Sequence, residues 1–211
     1  RYRELLNEYP GLGLGADGEI RQRVAGAILR LGEMQDASGA FGIWGPADGD
    51  MWLTSYVTDF LVRARETGHQ VNAKSLSLAL DKLANSVAVG QDADKNADTR
   101  AYALYVLARA GRAPVADLKY AIDGRLQTFG NALSLAHLGA AAGLVGDTAR
   151  AELAFAAAIK ELDTADNGQT RSDYGSGLRD TAAVLTLASE TKMAKAATVS
   201  LVDVISKAYA A

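Results

Sequence analysis

The sequence predicts an all-α protein of about ten helices, and three observations carry that expectation. Apolar residues recur at helical spacing from one end of the chain to the other, interrupted by short Gly- and Asp-containing connections. Only 3 of the 211 residues are Pro and 7% are aromatic, while Ala, the strongest helix former, is abundant. A weak internal repeat, small residues followed by Leu and a closing Gly, recurs at Ala25–Gly32, Ala101–Gly111 and Ala136–Gly146, and without the Gly at Ala182–Ala188. Small residues on one face let antiparallel helices approach closely, so the array is either an open solenoid or hairpins closed into an α/α toroid.

The elements follow in order. A short amphipathic segment at Tyr2–Glu8 opens the chain, and Tyr9–Gly15, with one Pro and three Gly, reads as a loop. Asp17 can cap a helix running to about Met34 or Gln35, with Ile20, Val24, Ile28 and Leu31 on one stripe. After a long loop, a helix from about Met51 carries Trp52, Tyr56, Phe60 and Ala64 to a stop near Gly68. Asn72 caps the next, with Leu76, Leu80 and Leu83 inside, and Asp98 or Asn96 starts another that leads through Tyr102, Val106 and Leu107 to Gly111. Pro114 sits near the first position of a helix reaching about Phe129, where its missing donor costs nothing. Asn131 opens a helix through Leu135 and Leu138 that ends at Gly146, and Asp147 caps Ala149–Leu162. A polar loop spans Asp163–Leu178, and two final helices lie at roughly Asp180–Glu190 and Lys195–Tyr209. No link reads as a disordered linker, so residues 1–211 are expected to form a single domain.

Composition narrows the function classes. Lys plus Arg total 22 against 25 for Asp plus Glu, a net charge of −3, which argues against nucleic acid as a partner. The absence of Cys excludes disulfides, thiolate metal sites and a Cys nucleophile, and leaves the compartment open. No apolar run approaches the ~18 residues of a membrane span, so this segment is not expected to insert in a membrane. The chain starts at Arg1 without an initiator Met or signal peptide, as expected of a processed or excised segment. His69 and His137 lack partners at metal-ligand spacing and read as structural. The run Asp92, Asp94, Asn96, Asp98 resembles a calcium loop, but Ala97 stands where Gly is needed and Ala103 where a bidentate Glu is needed. Asp48 and Asp50 are turn formers by default, with paired cleft carboxylates as the sharper reading. Gly11, Gly13 and Gly15 lack the Gly-Lys-Ser/Thr of a phosphate loop. No catalytic residue, metal site or cofactor is expected.

The most informative segment is LGEMQDASGAFGIWGPADGDMWLTSYV at 31–57. Gln35 at a helix end can bond backbone groups of the turn, and Gly39 permits a positive φ. Phe41 and Trp44 are then expected to fold back over the turn, and Trp52 to anchor the following helix. The default role is a structural brace, because aromatics at helix junctions are usually core. An aromatic platform for a sugar or isoprenoid is the functional version. Similar Gln–Gly–aromatic turns occur in α/α-toroid proteins such as terpene cyclases, which favours a toroid over a solenoid.

GAFGIWG at Gly39–Gly45, followed by WLTSYVTDFLVRARETGHQV at Trp52–Val71, resembles the thioester-containing domain of bacterial α2-macroglobulins, the same toroid that complement proteins carry. DYGSGLRDTA at Asp173–Ala182 is similar to a second block of that family, and the Thr99–Pro114 region fits between the two. The resemblance covers about Asp17 to Met193. It implies a protease trap in which cleavage of a bait region exposes an internal Cys–Gln thioester to a Lys of the captured protease, stored covalent chemistry without turnover. It also implies a periplasmic parent anchored to the inner membrane, with the rest of that chain and target proteases as partners. Tyr102, Tyr174 and Arg179 would then help line the surface on which the thioester rests. The family's Cys-x-Glu-Gln motif falls, in this register, just upstream of Arg1, so the segment is expected to be most of a toroid cut at both ends. Two other classes stay open: an α/α-toroid enzyme acting on an isoprenoid or polysaccharide, and a non-covalent envelope scaffold.

Overall fold

The computed structural model describes residues 17–47, 49–88, 96–164 and 176–210. Among these the chain is all-α. The helices are α1 (Asp17–Glu33), α2 (Met51–Glu66), α3 (Ala73–Ala88), α4 (Ala97–Arg109), α5 (Val115–Arg125), α6 (Ala132–Leu144), α7 (Thr148–Thr164), α8 (Gly177–Thr191) and α9 (Thr198–Ala210). The only extended pairing among the described residues is an isolated antiparallel bridge between Gln35 and Phe41. The helix predicted at Tyr2–Glu8 and the loop at Tyr9–Gly15 lie outside the described residues. The chain divides into two compact units, 1–82 and 83–211, with the division inside α3.

In the first unit, α1 presents Ile20, Val24, Ile28 and Leu31 as a half-buried stripe, as their spacing predicts. The core is built from Phe41, Val57, Leu61, Val62, Leu76 and Ala79. The inward face of α2 also carries Thr54, Ser55 and Thr58, whose hydroxyls donate to the carbonyls of Asp50, Met51 and Thr54 one turn back, so burial leaves no orphan donor. The Asp50 carboxylate accepts from Leu53 N–H at 2.7 Å to cap α2, and Gly68, at φ +86°, turns the chain after it. Asn72 accepts from the backbones of Lys74 and Ser75 and starts α3.

The second unit is organised on α6, which packs against α4, α5, α7 and α8. Its sequence ALSLAHLGAAAGL is buried over most of its circumference, as expected of a helix that is apolar all round. α7 comes close at Gly139: a Cβ there would stand 2.8 Å from the Phe155 ring. Asn131 caps α6 through Ser134 N–H, and Asp147 accepts from Arg150 N–H at the start of α7.

Several predicted boundaries shift for local reasons. Pro114 is the residue immediately before α5, next to its first position as the sequence predicts. The helix expected to reach Phe129 stops at Arg125, followed by a single 3₁₀ turn at Leu126–Thr128, and Phe129 is buried. α8 starts at Gly177 because Ser176 accepts from Arg179 N–H, and Asp180, expected near the start, lies buried in the first turn. Lys192 and Ala194 both adopt left-handed φ, and a 3₁₀ turn at Lys195–Ala197 delays α9 to Thr198. Asn96 makes no capping bond; Asp98, inside α4, instead accepts from Ser134 Oγ at 2.8 Å.

Candidate functional site

The segment after α1 forms the most specific local structure in the first unit. The Asp36 carboxylate accepts from the backbone and hydroxyl of Ser38, each at 2.8 Å, and from Ala40 N–H at 3.0 Å. The Ser38 hydrogen bond holds the Asp36 carboxyl below its ordinary range. Gly39 sits at φ +94°, and a Cβ there would come 2.2 Å from the Leu78 carbonyl oxygen. It therefore meets two demands at once, a left-handed backbone and close approach of α3. Gln35 Nε2 donates to Gly39 O at 3.1 Å and to Ser75 O at 2.9 Å, while Ser75 Oγ donates to Gln35 Oε1 at 2.5 Å. Phe41 is fully buried, and its N–H donates to Thr54 Oγ1 at 3.0 Å.

Gln35, Gly39 and Phe41 thus come together as a brace joining the end of α1 to the first turns of α2 and α3. Ser75 and Thr54 complete it. Sequence reasoning missed both, because partners 40 and 13 residues away leave no periodic trace.

The two tryptophans depart from expectation. Trp44 does not fold back over the turn; it is 94% exposed. The cause is the tightness of its loop: a Cβ on Gly42 would stand 2.2 Å from Gly45 O and 2.3 Å from Ala47 O. A chain curled that closely has no room inside for an indole, so its tip points outward. Trp52 is 49% exposed and stacks on Tyr56 one turn later, centroids 5.5 Å apart and planes within 6°. The start of α2 is held instead by Asp50 and Thr54. Asp48 lies outside the described residues.

In the second unit, Tyr102 on α4 is buried and stacks on His137 of α6 at 4.5 Å, with Tyr105 on the same imidazole at 5.3 Å. His137 is therefore core packing. Tyr105 and Arg109 also meet Glu190 of α8, with Arg109 Nη1 2.9 Å from the Glu190 carboxylate and 3.2 Å from the Tyr105 oxygen. The i, i+4 spacing of Tyr105 and Arg109 was the available signal for this joint. Arg179 pairs with Asp180 at 2.7 Å. Tyr174 and Asp173 lie outside the described residues, as do Asp92 and Asp94.

A surface cleft of about 370 Å³ lies between α5, the end of α6 and the start of α7, with Leu118, Ala142 and Val145 among its lining and Lys119, Asp147 and Arg150 around them. Arg150 bridges Asp123 at 2.6 Å and Asp147 at 2.7 Å. Its hydrogen bonds hold both carboxyls below their ordinary range, and they raise the guanidinium in turn. That pairing spends the cleft's charge internally. Among the described residues no group of three His, Asp or Glu side chains could hold a metal ion, and no helix is long and apolar enough to cross a membrane.

No protein-family model matches the chain. It is 35% identical over 195 residues to an alpha-2-macroglobulin of Escherichia coli, a match that takes in 86% of this chain and 12% of that relative. The crystal structure of native alpha-2-macroglobulin from Escherichia coli, spanning domain MG7 to the C-terminus, superposes with a TM-score of 0.81 at 33% identity, covering 95% of this chain and 33% of that one. The trypsin-activated form of the Escherichia coli protein gives 0.78 at 32% identity, over 92% of this chain and 14% of that one.

Proposed function

From the premise that this chain is homologous to a segment of bacterial alpha-2-macroglobulins, we propose that it is the thioester-type α/α-toroid domain of a protease-trapping macroglobulin. One observation carries the reading: 35% identity maintained over 195 residues, with both sequence blocks, Gly39–Val71 and Asp173–Ala182, in their expected order. The chain spans 12% of the length of that relative, so trapping is a property of the whole polypeptide and this segment supplies one part of it. The thioester Cys and Gln would lie upstream of Arg1, in keeping with the absence of Cys in these 211 residues. The trapped partner would be a protease, a class that the trypsin-activated relative supports. The parent would work in the periplasm, held to the inner membrane by a segment outside this one.

In this reading the segment's own contribution is to present and shield, with no turnover. The Gln35–Ser75 joint keeps helix ends in register within the first unit, and the Arg109–Glu190 joint does so within the second. The test uses the full-length polypeptide that carries this segment. Treatment with methylamine should add one amine to a Gln upstream of Arg1, read by peptide mass spectrometry. In a separate sample of untreated protein, incubation with trypsin should abolish cleavage of a large protein substrate while sparing a small peptide substrate. No amine incorporation would place the protein in a branch that traps without a thioester. Unimpeded cleavage of the large substrate would overturn the trap itself.

A further inference from the structure

The loop between α1 and α2 displays Ile43 and Trp44 to solvent, although large apolar side chains are ordinarily withdrawn. Looseness is not the cause, because both ends of the loop are pinned. Gly42 N–H donates to Met34 O and Asp50 N–H to Phe41 O, each at 3.2 Å. A Cβ at Gly49 would stand 2.4 Å from the Ala40 Cβ, so the stem closes on itself as tightly as the tip. Next along the chain, the first turns of α2 show the Trp52–Tyr56 stack. Residues 31–57 also contain four acids, Glu33, Asp36, Asp48 and Asp50, and no Lys or Arg. A pre-ordered aromatic tip in a segment of one charge sign is the composition of a recognition element.

We propose that this loop is a docking knob for another domain of the same longer polypeptide, with Trp44 entering an apolar pocket rimmed by Lys or Arg. The proposal rests on reading the chain as a segment of a larger macroglobulin. Two other occupants are disfavoured by charge. A second copy pairing this segment symmetrically would set acid against acid, and an anionic bilayer would repel the same segment. A tethered domain suits so small a contact, since tethering supplies an effective concentration on the order of millimolar. The homologous relative, of which this chain spans 12%, has ample chain for such a domain.

The test is hydroxyl-radical footprinting read at the Trp44 peptide, in the 211-residue chain and in the full-length polypeptide. Trp44 should oxidise rapidly in the short chain and at least about fivefold more slowly in the full-length one, as for a side chain at an interface core. Protection should weaken as salt rises from about 0.05 to about 0.5 M; protection indifferent to salt overturns the basic rim. Equal oxidation in both chains overturns the knob. So does protection already present in the short chain, whether concentration-dependent, as for a second copy, or not. Protection of the short chain by phosphatidylglycerol vesicles would reassign the tip to a lipid surface and overturn the proposal. The readout is independent of trapping: a protected Trp44 in a protein that fails to trap trypsin sinks only the proposed function, and an unprotected Trp44 in a working trap sinks only the knob.

Discussion

Substituting Gly39 by Ala tests the brace most directly, because two separate costs meet at that residue. At φ +94° an L-residue pays about 1–2 kcal/mol for left-handed backbone. The new Cβ would also stand 2.2 Å from Leu78 O and 2.5 Å from Leu78 C. Those are backbone atoms inside α3 and cannot rotate away, so helix and turn must separate, an overpacking cost of about 1–3 kcal/mol. Gly68 supplies the control. It has nearly the same φ, +86°, and nothing within 4 Å of the Cβ it would gain, so Gly68→Ala should cost only the backbone share of about 1–2 kcal/mol. The gap between the variants, about 1–3 kcal/mol, corresponds to a urea midpoint lower by about 1 M for a denaturant slope of about 2 kcal/mol/M. Both tryptophans, Trp44 and Trp52, lie in the unit that contains both glycines, so tryptophan fluorescence during urea titration reports on the right part of the molecule. If Gly39→Ala unfolds at the same urea concentration as Gly68→Ala, the close approach of α3 to the turn is wrong.

Other substitutions probe the remaining joints. Gln35→Ala and Ser75→Ala should each destabilise the first unit, and their double-mutant cycle should show a coupling of about 1 kcal/mol, since they share a hydrogen bond across 40 residues; additive effects would deny that contact. Gly139→Ala should cost about 1–3 kcal/mol in thermal melts followed by circular dichroism, and part of that loss should return when Phe155→Leu removes the ring its Cβ would meet. Asp36 carries the pH dependence of the turn. Its carboxyl titrates below the ordinary 3.8, so its contribution is fully present above that value and is lost as pH falls through the lowered one. Asp36→Asn should therefore lower unit-1 stability at neutral pH and flatten its acid dependence below about pH 4, which matched urea titrations would show.

How much could be read in advance depends on the range of each interaction. The α1 stripe at Ile20, Val24, Ile28 and Leu31 was legible because amphipathic spacing is a local record of which face will be covered. The caps at Asn72 and Asn131 were legible as polar side chains ahead of apolar runs, whereas Asp50 was legible only as a turn former. Within the brace, Gln35 and Gly39 announced themselves through chemistry needed by their own turn. Ser75 and Thr54 did not, because a Ser or Thr early in a helix is commonplace until a partner arrives from elsewhere. Trp44 misled for the opposite reason. Its size argued for burial, while the glycines around it, which curl the loop too tightly to admit the ring, gave no hint of direction.

The sequence by itself therefore determined the helical class, the order and approximate limits of the helices, and the kinship with bacterial alpha-2-macroglobulins, since all three are written in residue spacing and identity. Tertiary structure decided which of those residues meet. It placed Gln35 on Ser75, His137 between two tyrosines and Arg109 on Glu190, and it left Trp44 in solvent. Contacts between residues tens of positions apart depend on how helices pack, and packing is set by the summed shape of many side chains rather than by any motif.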